Sequence, residues 1–118
     1  MSGVTDRTGP RTEAEVAAYL GTFGWPVRRV VQDGRRDRGD LEGLPDFAVQ
    51  VKDHETQDFS GWLDDVERQR QAAAERFGVV IARRRGRPLG QAYAVLTLET
   101  FAKLLALLDM ERGFLPAA

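Results

Sequence analysis

Three polar residues of chemically useful types, Asp40, Gln50 and Lys52, fall within the stretch "GDLEGLPDFAVQVKDHE" at positions 39–55. Phe47, Val49 and Val51 alternate there with Ala48, Gln50 and Lys52, the period-two pattern of a half-buried strand. A three-residue turn over 44–46 sets Gly43 against Phe47, Leu41 against Val49 and Asp40 against Gln50. Asp40 and Gln50 then share a face with Cβ atoms roughly 5 Å apart, and Arg38 faces Lys52 one step further on. The same register gathers Leu41, Phe47, Val49 and Val51 on the opposite, core-facing side, and a slip by one residue would undo both groupings. Two chemistries are open to the polar face. It is either an exposed cross-strand ion pair, common and worth little, or a site in which Lys52 supplies a compact charge or an amine of shiftable pKa. Of the 17 basic residues only Lys52 and Lys103 are lysine, which favours the second reading.

Glu13 joins this group for a different reason. On a helix turning 100° per residue, Val16, Ala17 and Leu20 lie within about 60° of it. Glu13 therefore sits at the edge of an apolar face, whereas Glu15 points nearly the opposite way. An acid turned toward a core needs a partner, either a cation supplied by the sheet or a metal.

The elements that must position these residues follow in a definite order. Residues 1–11 are polar and read as a loose N-terminal segment. Thr12 and Glu15 form a capping-box pattern that opens a helix through about Phe23, stopped by Gly24 and Pro26. Residues 27–31 read as a strand, 32–38 as a polar loop turning at Asp33 and Gly34, and 39–42 and 47–52 as two further strands. A long helix runs over 60–77, with Asp64 and Asp65 near its positive end. Residues 78–82 form a short buried strand, 92–96 another, and Thr97 caps a last helix through Leu108. The result is a single-domain α/β chain in the order α-β-β-β-α-β-β-α, a mixed sheet flanked by helices. The folded domain spans 12–109, and 110–118 is a C-terminal tail.

Bulk properties bound what such a domain does. With 118 residues and no cysteine, the chain is one domain with neither a disulfide framework nor thiolate chemistry. No apolar run reaches membrane-spanning length and the N-terminus has no hydrophobic signal core, so the expectation is a cytoplasmic protein that does not engage membranes. The net charge of −1 does not advertise a nucleic-acid binder. Its distribution does: 28–38 carries five Arg against two Asp, 83–87 carries four Arg and no acid, and 58–67 carries four acids and no base. A neutral molecule so divided presents a local basic face.

Read together, these residues resemble the core of the PD-(D/E)xK nucleases, the superfamily of many restriction enzymes and archaeal Holliday junction resolvases. In that pattern a helix Glu precedes an Asp on the second strand and Glu-x-Lys on the third; Glu13, Asp40 and Gln50-Val51-Lys52 stand in those places. The chain is similar, further, to small resolvase-like nucleases common in actinobacterial phages and prophages. The shared stretches are "EAEVAAYLGTFGWP", "DRGDLEGLPDFAVQVKDH", "GWLDD", "RRRGR" and "VLTLETFAKLL", which together cover most of 11–108.

The resemblance implies a restriction-endonuclease-like core and Mg²⁺-dependent hydrolysis of DNA phosphodiester bonds, with Mn²⁺ as a possible substitute. Asp40, Gln50, the Val51 carbonyl and Glu13 would hold the metal. Lys52 would place the attacking water or stabilise developing charge, with a pKa lowered by the metal if it also moves a proton. Arg35, Arg36, Arg38, His54, Arg83, Arg84, Arg85 and Arg87 would contact DNA. Branched DNA such as a four-way junction would be the substrate and a homodimer the assembly, since a junction offers two strands to cut symmetrically. A different branched-DNA nickase would use the same residues.

The departure from the pattern is Gln50, where the family usually carries Glu. An amide oxygen still coordinates Mg²⁺, but one negative charge is lost and affinity falls. The implied protein is therefore either a Gln-x-Lys enzyme, a weakened one, or a catalytically silent DNA-binding domain on the same fold. Asp46, in the literal Pro-Asp dipeptide, is no substitute because it lies in the turn. Trp62, Val66, Phe101, Leu104, Leu105 and Leu108 read as core contacts, and Trp25 as a packed helix stop.

Overall fold

The run Phe47–Lys52 forms the middle strand of five. In a computed structural model, which describes residues 2–30 and 40–112 and the side chains of 9–30 and 40–111, the elements are α1 (Ser2–Gly21), β1 (Arg28–Arg29), β2 (Leu41–Glu42), β3 (Phe47–Lys52), α2 (Phe59–Ala72), β4 (Phe77–Ala82), a 3-10 turn (Leu89–Gln91), β5 (Tyr93–Val95) and α3 (Leu98–Arg112). The strands lie in sequence order across one mixed sheet. β1, β2 and β3 pair antiparallel, β3 and β4 parallel through α2, and β4 and β5 antiparallel. The chain is thus a single α/β domain.

The β2–β3 hairpin has the register that its turn length dictates, with Leu41 paired to Val49. Asp46 takes φ +71° in the third turn position, where a three-residue hairpin loop requires a left-handed residue and Asp tolerates it. Gly43, at φ +95°, lies so close to the Pro26 carbonyl that a Cβ would have no room. This contact seats the hairpin against the end of α1.

β3 is buried on both faces, not one. Val49 and Val51 pack with Val16 and Ala17 of α1, Leu41 and Val79. Ala48 packs on the other face with Trp62 and Val66 of α2, Val80 and Ala82. Parallel pairing to β4 brings α2 over the face that alternation alone marks as polar, because the β-α-β crossover helix must cover the sheet.

Other boundaries also differ from expectation. α1 begins at Ser2 and passes through Pro10, so Thr12 lies within the helix and does not cap it. The first strand is only Arg28–Arg29, both exposed; Val31, the 32–38 loop and Gly39 lie outside the described residues. α2 is capped by Asp58, whose carboxylate accepts from the Gly61 N–H at 3.1 Å. It stops at Ala72, with Ala74 left-handed at φ +58°. Phe77 leaves the helical run because β4 claims it: it pairs with Phe47, the two rings 5.3 Å apart.

Thr97 does cap α3, its hydroxyl oxygen accepting from the Thr100 N–H at 3.1 Å, and the helix continues to Arg112. Its expected core residues are corrected: Phe101, Leu105 and Leu108 are 48%, 46% and 50% exposed. The face of α3 turned to the body carries the buried Thr100 instead, and the Leu98, Phe101, Leu105 and Leu108 stripe points away from it. Trp25 is likewise exposed, while Trp62 and Val66 are core as expected.

Candidate active site

The hairpin ties Asp40 to the two chain neighbours of Gln50 through two hydrogen bonds. Val51 donates its N–H to the Asp40 carboxylate at 2.7 Å, while the Asp40 N–H donates to the Val49 carbonyl at 2.7 Å. β2 begins at the next residue, Leu41, and at this point the Asp40 carboxylate is the acceptor that satisfies the β3 N–H. The Val51 side chain is committed to the α1-side core.

Gln50 lies on the same side of β3 as Ala48 and Lys52 and is 3% exposed. Its Oε1 is buried without a hydrogen-bond partner among the described residues. An orphaned buried acceptor costs about 1–3 kcal/mol, so a folded chain that keeps one invites a reason. The sequence pattern places this amide in solvent; the sheet and α2 bury it.

Lys52 extends from the same row toward α2, its Nζ 5.7 Å from the centre of the Trp62 ring. Among the described residues no carboxylate forms an ion pair with it, although it acts electrostatically on both Asp40 and Glu13. Glu13 reaches the cluster from α1. Its partner is the cation from the sheet that its position called for: Arg29 of β1 donates to Oε1 at 3.1 Å.

Both carboxyls are held above their ordinary range. For Asp40 the cause is burial, opposed by the Val51 N–H and by the Lys52 and Arg29 charges. For Glu13 it is burial and then the Asp40 charge, opposed by Arg29 and Lys52. Two carboxyls held high by burial, Glu13 also by the Asp40 charge, together with an amide oxygen that has no partner among the described residues, form a site that a divalent cation would relieve. The donors on offer are all oxygen, the set a hard ion takes. Among the described residues, however, no three His, Cys, Asp or Glu side chains converge; a third side-chain oxygen would have to come from the Gln50 amide.

The basic residues divide into two groups. Arg83 is tied to Glu15 of α1 at 2.5 Å, and Arg85 to the Asp53 carboxylate at 3.0 Å. Thr12, buried in α1, donates its hydroxyl to the other Asp53 oxygen at 2.7 Å. Burial pushes the Asp53 carboxyl up, but the Thr12 and Arg85 hydrogen bonds and the Arg85 and Arg83 charges outweigh it and hold it below its ordinary range. Arg84 instead lies over the Tyr93 ring at 5.1 Å, and Arg87 donates to Gln91 at 3.5 Å.

Arg84, Arg85 and Arg87 line a groove of about 320 Å³ with His54, Gln57 and Tyr93. It opens where the chain leaves the C-terminal ends of the parallel strands β3 and β4, the edge at which open α/β sheets bind ligands. The His54 ring lies tilted against Trp62, the ring centres 5.2 Å apart, and Trp62 in turn lies against Lys52. The structure therefore brings His54, Arg84, Arg85 and Arg87 together with Glu55 around one groove, connected to Lys52 through the His54–Trp62 contact, and turns Arg83 toward α1. Arg35, Arg36 and Arg38 lie outside the described residues. Asp46 sits in the turn before β3, within 3.9 Å of Arg76 and away from the cluster.

The tertiary roles of Arg29, Asp53 and Thr12 are not visible in the sequence alone. Arg29 was legible only as the cation that Glu13 demanded. Thr12 matches a capping box so well that its tertiary role is hidden. No helix of the described residues is long and apolar enough to cross a membrane. A scan against protein-family models and searches of curated proteins and solved structures return no match.

Proposed function

We propose that this chain is a divalent-cation-dependent endonuclease that hydrolyses phosphodiester bonds in branched DNA, most specifically a Holliday junction resolvase working as a homodimer. The observation that carries the reading is the buried Oε1 of Gln50, without a partner among the described residues and in the same row as Lys52, on the strand whose backbone Asp40 holds. A helix Glu, an Asp just before β2 and a Gln-x-Lys strand are the parts that the nuclease resemblance requires.

In this reading Asp40 and Gln50 hold Mg²⁺, or Mn²⁺ in its place, with Glu13 as a further ligand or as an acid oriented by Arg29. When bound, such an ion would supply Lewis-acid chemistry to the phosphate and the attacking water. Lys52 offers N–H donors to a phosphate oxygen, where negative charge grows in the transition state. The water oxygen bonds to phosphorus as the bond to the 3′ oxygen breaks, leaving a 5′-phosphate and, after protonation, a 3′-hydroxyl. Arg84 and Arg87 hold flanking phosphates across the groove, and His54 lines the approach.

A second reading is a DNA-binding domain without cleavage. It is favoured by the want of a third carboxylate in the cluster among the described residues, since Gln50 stands where the family usually carries Glu. The two readings part on a labelled four-way junction and its matching linear duplex, each incubated with Mg²⁺ or with chelator. Junction cleavage that chelator abolishes establishes the enzyme. Binding without cutting, converted to cutting by Gln50→Glu, establishes the silent domain. A chain that neither binds nor cuts refutes both.

A further inference from the structure

Lys52 presents a positioning problem. It is a flexible side chain on the last residue of β3, and among the described residues it has no carboxylate to hold it. A carboxylate partner would fix the ammonium but would also consume its N–H donors and cancel its charge. An aromatic face does the first without the others, because the ring quadrupole attracts the cation while leaving its donors outward.

The ring in that place is Trp62. It is 8% exposed and packed with Ala48, Val66, Val80 and Ala82. Its backbone N–H is bound by the Asp58 carbonyl in the first turn of α2. His54 lies 5.2 Å from it and Phe59 5.9 Å. It is therefore a buried plate held by the core, His54 and Phe59, with Lys52 Nζ 5.7 Å from its centre.

We infer that Trp62 is a positioning residue: through a cation–π contact it holds the Lys52 ammonium at the mouth of the groove, with its donors directed to an anionic phosphate oxygen. The catalytic part of this inference rests on the nuclease reading; the contact itself does not. The same plate explains why lysine stands at position 52 in a chain built on arginine. The compact ammonium reaches the phosphate end-on, whereas a guanidinium stacked on Trp62 would lie flat.

The test exploits the scarcity of lysine. Reductive ¹³C-methylation labels Lys52, Lys103 and the N-terminal amine, and Lys103→Arg assigns the signals. The Lys52 methyl resonance should be shifted upfield by the Trp62 ring, move toward the Lys103 position in Trp62→Leu, and stand between them in Trp62→Phe. Val66→Ala, which weakens the same α2 core, should leave it in place. With junction DNA at saturation, the single-turnover rate should fall roughly threefold to thirtyfold in Trp62→Leu, the scale of one desolvated cation–π contact. DNA affinity should be unchanged, and Trp62→Phe should recover part of the rate.

A Lys52 resonance coincident with that of Lys103 in the wild-type chain overturns the inference. So does an equal loss of rate in Trp62→Leu and Val66→Ala, which would make Trp62 a packing residue only. A shifted, Trp62-dependent resonance in a wild-type chain that cuts no DNA confirms the contact and sinks the nuclease reading instead.

Discussion

The Asp40 carboxylate accepts the Val51 backbone N–H at 2.7 Å, so the residue that would bind a metal also completes the hydrogen bonding of the strand that carries Gln50 and Lys52. This double duty has a cost at neutral pH. Burial holds the Asp40 carboxyl above its ordinary range despite the N–H and the nearby cations. The folded chain therefore binds that proton more tightly than the unfolded chain, and stability falls as pH rises from the ordinary carboxylate range through the raised one.

Asp40→Asn should remove that penalty while keeping an oxygen for the Val51 N–H. In chelator at neutral pH the variant should melt above the wild type. The gap should close on acidification below the ordinary carboxylate range, where both side chains are neutral. Thermal melts across that pH span check the sign, and cleavage should be lost throughout.

Gln50→Met keeps the volume and deletes the orphaned oxygen. If that oxygen is unpaired without a ligand, the substitution should stabilise the chelated protein by about 1–3 kcal/mol, read by urea denaturation. Addition of Mg²⁺ or Mn²⁺ should stabilise the wild type and leave Gln50→Met unmoved. A destabilised variant would show that the amide already has its partners.

The arginines should separate by task. Arg84→Ala and Arg87→Ala should each weaken DNA binding and reduce the salt dependence by about one phosphate contact. Arg83→Ala and Arg85→Ala, which break ion pairs to Glu15 and Asp53, should act chiefly on stability. Fluorescence anisotropy over a salt series, paired with melting curves, distinguishes the two outcomes.

What the sequence discloses here is what is local. The pairing of Leu41 with Val49 follows from alternation and turn length alone, and both are contained in 16 consecutive positions, 39–54. The demand of Glu13 for a cation is equally readable from its helical angle. Gln50 escapes such reasoning because its burial depends on β4 and α2, which lie more than seven positions away and reach β3 only through the crossover. The end of α2 escapes too: nothing in "QAAAERF" stops a helix, and only pairing of Phe77 with Phe47 decides it. The outward stripe of α3 shows the opposite failure, where an apolar period reads as core in a helix that leaves much of it exposed.

The central claim is that Asp40 and Gln50 form one divalent-cation site. Calorimetric titration of Mn²⁺ into the wild-type chain, Asp40→Asn and Gln50→Glu tests it without reference to any DNA. The account predicts saturable binding at one ion per chain, lost in Asp40→Asn and tightened in Gln50→Glu. Wild-type protein that takes up no Mn²⁺, or that binds it equally well without the Asp40 carboxylate, would contradict it.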